Sequence, residues 1–184
     1  MKIPVLGMDP SLTHWGLAFA MLDLETGFLD TPHLTLVCPI DEKKKQVRVN
    51  SNDLFRAKQL SDTVFSLAKT AKIVFVEIPV GSQSARAMAS YGICLGILGA
   101  LQSQGTELIE VTATEVKLAL TNNKTATKSQ MIEAAVKLYP DANFPMSRGK
   151  IVNKAEHVAD AIGSIHAGVK TPLFKNTLRL LKGI

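Results

Sequence analysis

Apolar residues in this chain fall first into short runs and later into helical spacing. Lys2 to Met8 (KIPVLGM) is a mostly apolar run closed by Asp9-Pro10, the pattern of a strand entering a turn. Trp15 to Leu22 (WGLAFAML) and Leu34 to Val37 repeat it, with turn residues from Asp23 to Gly27. Such spacing predicts three strands in an antiparallel meander. The polar stretch Asp41 to Asn52 predicts a loop. From Asp53 to Lys69, apolar Leu54, Ala57, Leu60, Val64, Leu67 and Ala68 recur at helical spacing. Ile73 to Val76 then reads as a buried strand with Glu77 at its end. Pro79 and Gly81 turn the chain into a long apolar helix, from about Ser82 to Gln104. Leu108 to Val111 is a fifth strand. Thr112 with Glu115, and Thr127 with Gln130, are capping-box pairs for helices through Leu120 and Leu138. Pro140 to Ile151 reads as irregular, and a last clear helix runs from about Lys154 to Ala167.

Strands that precede and then alternate with helices predict an α/β protein, a mixed five-stranded sheet with helices on both faces. The 184 residues fit a single domain spanning 1–184, because domains commonly hold about 100–200 residues. Cys38 and Cys94 have no zinc-ligand spacing and read as reduced, buried thiols of a cytoplasmic protein. Pro4, Gly7 and Asp9 break the apolar start, so no signal peptide is expected. Met88 to Leu101 is too short for the ~20 residues that a membrane span needs.

Charge is unevenly shared. Residues 1–116 carry 10 Lys/Arg against 12 Asp/Glu, net −2, and residues 117–184 carry 11 against 4, net +7, giving +5 overall. Such a chain gathers carboxylates in one half and offers lysines to phosphate from the other.

Asp9 and Glu77 each close an apolar strand. If those strands are neighbours, both carboxylates emerge at one sheet edge, where α/β folds place their sites. The last helix adds His157 and Asp160, spaced i and i+3 and therefore on one face. Oxygen ligands suit Mg²⁺. Two such ions about 3.5–4 Å apart stabilise both the attacking and the leaving oxygen of a phosphodiester. Taken singly, each residue has an ordinary reading: Asp9 as a turn former before proline, Glu77 as a solvated strand end, His157 as a packed histidine. Only the ordered set points to chemistry.

That set resembles the RuvC family of Holliday-junction resolvases. Gly7-Met8-Asp9-Pro10-Ser11-Leu12-Thr13 with Gly16-Leu17-Ala18 is similar to the family's opening motif, and Val74-Phe75-Val76-Glu77 to its second. Val116-Lys117 and Lys128-Ser129-Gln130 are similar to the segment that supplies DNA-contacting lysines. Glu156-His157-Val158-Ala159-Asp160-Ala161 resembles the last motif. The resemblance implies an RNase H-like fold and a homodimer that places paired symmetric nicks in four-way junctions. It implies Mg²⁺ as cofactor, with Mn²⁺ as a substitute, held by Asp9, Glu77, His157 and Asp160. Glu156 and His157 differ by about 100° around a helix, and the family pattern selects His157. Many members carry an aromatic residue near the position of Val80; here the stretch Pro79 to Arg86 has none. In this respect the chain looks more like the divergent resolvases carried by bacteriophages, which accept several branched DNAs.

Lys117, Lys124 and Lys128 surround the turn between two predicted helices and suit backbone phosphates. Arg86, one turn into the helix after Glu77, is a further candidate for the scissile strand. Arg148, Lys150 and Lys154 could add phosphate contacts, whereas Lys43 to Lys45 read as a solubilising loop. Gly92, Gly96 and Gly99 would admit either a second helix or the helix's own sheet. Rival readings are a junction-binding protein without catalysis and an RNase H-like nuclease acting on RNA–DNA hybrids. An actin-like nucleotide-binding domain shares the Gly-x-Asp opening but needs a second phosphate loop and a longer chain.

Overall fold

The computed structural model describes residues 1–43 and 46–182. Strands β1 (Lys2–Asp9), β2 (Trp15–Asp23) and β3 (His33–Val37) form the expected antiparallel meander. Helix α1 (Val49–Ala68) carries the chain to β4 (Ile73–Glu77), and α2 (Ala85–Ser103) carries it to β5 (Leu108–Val111). Both new strands join in parallel, giving one five-stranded mixed sheet in the order β3-β2-β1-β4-β5. After β5 come α3 (Ala113–Thr121), α4 (Lys128–Leu138), α5 (Ala155–Gly168) and α6 (Pro172–Lys182).

Alternation along β1 sorts the core into two layers. Ile3 and Val5 face the cluster built with α3, α4 and α5, while Leu6 and Met8 face Leu60 and Val64 of α1 and Leu98 of α2. Strand β4, between β1 and β5, is covered on both sides, which is why Ile73 to Val76 is an unbroken apolar run. Both predicted capping boxes form, at Thr112 with Glu115 and at Thr127 with Gln130.

Helix α5 settles unusually close to the sheet. A Cβ on Gly7 would overlap the Ala161 carbonyl, and one on Gly16 would overlap the His157 carbonyl. Ala155, Ala159, Ala161 and Gly163 keep the helix itself slim. These small residues allow the helix backbone to rest on β1 and β2, fixing where its first turns project.

Cys94 is buried as expected but Cys38 is exposed, and four elements depart from the sequence reading. Helix α1 begins at Val49, ahead of the apolar pattern, because Asn52 bonds back to the loop through the Glu42 amide and the Asp41 carboxylate, each at 2.9 Å. Helix α2 begins at Ala85, where Ser84 caps the Ala87 amide, rather than at Ser82. The segment read as irregular contains a short hairpin of β6 (Met146–Ser147) and β7 (Lys150–Ile151). Helix α6 was not expected; Phe174 anchors it against Phe75, with ring centroids 5.6 Å apart. Lys44 and Lys45 of the basic loop lie outside the described residues. No described helix is long and apolar enough to cross a membrane.

Gly16→Ala is expected to cost about 3 kcal/mol of stability, since the added methyl meets a helix carbonyl that cannot swing away. Chemical denaturation of the two proteins measures this, and an unchanged midpoint would contradict the close docking of α5.

Candidate active site

Strands β1 and β4 are parallel neighbours with Met8 opposite Val76, so Asp9 and Glu77 leave the sheet at the same edge. The start of α5, held down over Gly16, brings its first turn to that edge. His157 Nδ1 donates to Asp9 Oδ2 at 2.6 Å, joining residues 148 positions apart. Asp160 follows one turn later on the same helix. The structure thus brings all four predicted ligands into one electrostatically coupled cluster.

The carboxyls show how little positive charge the cluster holds for itself. Burial and then the charge of Asp9 push Glu77 up to about 7, against a weaker opposing pull from Lys117. Burial, followed by Asp9, Glu77 and Glu156, pushes Asp160 up to about 8. For His157, burial disfavours the charged ring, but the Asp9 bond and the neighbouring carboxylates outweigh it and raise its pKa.

One participant was weighed in the sequence and passed over for its neighbour, and a second escaped it. Glu156 stands beside His157, with Oε1 3.7 Å from Nε2. Its other oxygen, Oε2, is buried and has no hydrogen-bond partner among the described residues. The missed signal was its spacing of four from Asp160, which puts both carboxylates on one helix face. His14, from the β1–β2 connection, stacks on the His157 ring with centroids 5.5 Å apart and planes within 4°. Nothing in the sequence indicates that contact.

The basic candidates separate by location. Lys117 on α3 is close enough to act on Glu77. Lys128, at the start of α4, holds Glu156 Oε1 at 2.5 Å. Lys124 is exposed in the α3–α4 connection and forms no ion pair with a described residue. Arg86 turns to α1, where its guanidinium grips both oxygens of the buried Asp53 carboxylate. A cavity of about 380 Å³ opens beside the cluster between His14, Lys128, Asn153, Lys154, Glu156 and His157. A larger hollow of about 590 Å³ lies at the opposite sheet edge, near Ile73, with Glu107 as its lone carboxylate. Of the two, the smaller one adjoins the acidic cluster.

A divalent cation suits this donor set. Carboxylate oxygens dominate it, one buried oxygen is orphaned, and two carboxyls are driven towards the neutral form by burial and, after it, by neighbouring carboxylates. Among the described residues, no group of three or more His, Cys, Asp or Glu side chains is arranged so that it could hold a metal ion as it stands. Asp9 and Glu156 are meanwhile engaged by His157 and Lys128.

Neither a protein-family model nor a curated protein sequence matches this chain. Among solved structures, Thermus thermophilus RuvC in complex with a Holliday junction substrate is similar, with a TM-score of 0.63 and 20% identity over 90% of this chain and 92% of that one. Thermus thermophilus RuvC also matches in a second structure, with a TM-score of 0.60 and 19% identity over 98% and 96% of the two chains. The likeness is one of fold, and the sheet order with its flanking helices is RNase H-like, as expected.

The Asp160 carboxyl keeps its proton in the folded chain up to about pH 8, whereas in the unfolded chain it releases it near pH 4. Metal-free stability should therefore fall as pH rises through that window, by on the order of a few kcal/mol. Asp160→Asn is expected to raise the metal-free melting temperature at pH 8 and to flatten that decline. Mg²⁺ should stabilise the parent protein more at pH 8 than at pH 5, and the variant far less. Melting curves check all three, and a destabilised variant at pH 8 would contradict the repulsive cluster.

Proposed function

We propose that residues 1–184 form a single RNase H-like nuclease domain that uses divalent metal to cut four-way DNA junctions and related branched DNA. The observation that carries this reading is the convergence of Asp9, Glu77, His157 and Asp160 at one sheet edge. The fold likeness to a protein solved with a Holliday junction substrate adds support.

Asp9, Glu77 and Asp160 would hold Mg²⁺, or Mn²⁺ in its place, with His157 as the nitrogen donor and Glu156 available beside it. Bound there, the ions would supply positive charge for the attacking and leaving oxygens and ease deprotonation of water. The chain's own groups do the positioning. Asp9 fixes the His157 ring through its Nδ1 proton, and the stacked His14 face keeps that ring from rotating. Lys117, beside Glu77, is placed to hold a non-bridging phosphate oxygen. Lys128 neutralises Glu156 in the free protein and can turn to phosphate from an exposed position. Lys124 would contact the backbone farther along. Arg86 would contribute only its exposed edge, since Asp53 occupies the fork.

Helix α2 supports a homodimer. Its outward side exposes Met88, Leu95, Gly92, Gly96 and Gly99, and a Cβ on any of the three glycines would meet nothing. The glycines therefore do not serve packing on the chain's own sheet. A second copy related by two-fold symmetry could approach closely along this stripe and present two matched sites to a two-fold junction. Such a nuclease would act in the cytoplasm of a bacterial cell, encoded there or by a bacteriophage.

A labelled four-way junction incubated with Mg²⁺ should yield paired symmetric nicks, and chelation should stop them. Asp9→Asn and Glu77→Gln should each slow cutting by roughly 10³-fold while junction binding persists. Binding without any nicking would favour a non-catalytic junction binder. Preferential cutting of RNA–DNA hybrids would favour the RNase H alternative.

Leu95→Asp should convert the dimer to a folded monomer in sedimentation and uncouple the two nicks. A protein that is already monomeric at micromolar concentration would contradict the α2 interface.

A further inference from the structure

The β6–β7 hairpin has a tip whose composition opposes its geometry. Met146 pairs with Ile151 and Ser147 with Lys150, leaving Arg148 and Gly149 as a two-residue turn. Both have positive φ, 49° and 75°, the type I′ turn of tight hairpins, for which Asn-Gly is the favoured pair. An arginine in left-handed conformation is sterically strained. Arg148 and Asn122 are the described non-glycine residues with positive φ, and Asn122 belongs to the residue type that tolerates it. Strain of this kind at an exposed, cationic tip points to use of the side chain rather than to folding.

The hairpin stands on a firm base. Phe144 is buried, Ile151 packs against the core, and the Val152 amide donates to the Pro145 carbonyl at 3.1 Å. The Asn143 side chain bonds both the amide and the carbonyl of Leu34, at 2.7 and 2.8 Å, fixing the segment to the edge strand β3. Ser147, Arg148 and Lys150 are exposed. Neither cation forms an ion pair with a described residue, whereas Arg56, Arg86 and Lys128 are all committed to carboxylates.

Its position links it to the acidic cluster. Val152 to Lys154 connect β7 to α5, and Asn153 and Lys154 line the cavity that His157 and Glu156 also line. Resting on the nuclease reading above, we propose that the β6–β7 hairpin is a rigid cationic finger that grips the phosphate backbone of the duplex arm flanking the cleaved strand. A strand with one phosphate at the cluster would cross the cavity past Lys154 and meet Lys150 and Arg148 beyond it. Charge complementarity selects DNA as the occupant, because this short projection carries two cations and no carboxylate.

The test uses the full chain carrying Asp9→Asn, so that binding is read without cutting, and a fluorescent four-way junction as probe. Arg148→Asn with Lys150→Ala should lower the slope of log affinity against log salt by about 2, near 0.9 per lost phosphate contact. Affinity at 150 mM salt should fall roughly tenfold. The melting temperature should stay level or rise, because Asn suits the turn better than Arg. An unchanged salt slope in a folded double variant would overturn the finger. So would a collapsed melting temperature with the parent slope retained, which would assign the residues to folding or to a protein partner. Failure of the Asp9→Asn parent to bind the junction at all would instead remove the nuclease reading, and the finger with it.

Discussion

The close seating of α5 on β1 and β2 is the constraint from which the rest follows. Gly7 and Gly16 allow helix carbonyls to occupy space that any side chain would fill. Because the contact is made by backbone, α5 has little freedom to slide or tilt. Its first turn therefore lands where β1 and β4 end, and a histidine 148 positions along the chain meets Asp9 at hydrogen-bond distance. The three-layer arrangement serves this placement: α1 and α2 close one face, and α3, α4 and α5 press on the other.

That placement is electrostatically costly. Carboxylates from two strands and one helix share a partly buried edge, and burial with mutual repulsion drives Glu77 to about 7 and Asp160 to about 8. His157 and Lys128 offset part of the charge, through Asp9 and Glu156 respectively. What remains is a deficit of positive charge at an open edge, the feature on which the proposed cation-binding role rests. The fold is similar to that of the Thermus RuvC structures although sequence identity with them is only 19–20%.

Strands and capped helices were legible because their signals are local. Apolar runs in β1, β2 and β4 and the boxes at Thr112 and Thr127 name their own conformations. That Asp9, Glu77, His157 and Asp160 come near one another was legible from their order, although no single one stands out. What escaped depends on contacts between distant segments. His14 matters through a ring stack, the Gly7 and Gly16 positions through α5, and helix α6 through Phe174 against Phe75. The hairpin escaped because its strands are two residues each and its turn carries Arg where Asn is usual. Glu156 was passed over for His157 on the family pattern, although its four-residue spacing from Asp160 argued the other way.

The central claim is that these side chains hold divalent cations. Crystals of the protein soaked in Mn²⁺ and measured for anomalous scattering address it most directly. Strong peaks among the carboxylates of Asp9, Glu77 and Asp160 are expected, lost in crystals of Asp160→Asn. Peaks confined to other parts of the surface, with the Asp9–His157 bond unaltered, would contradict it.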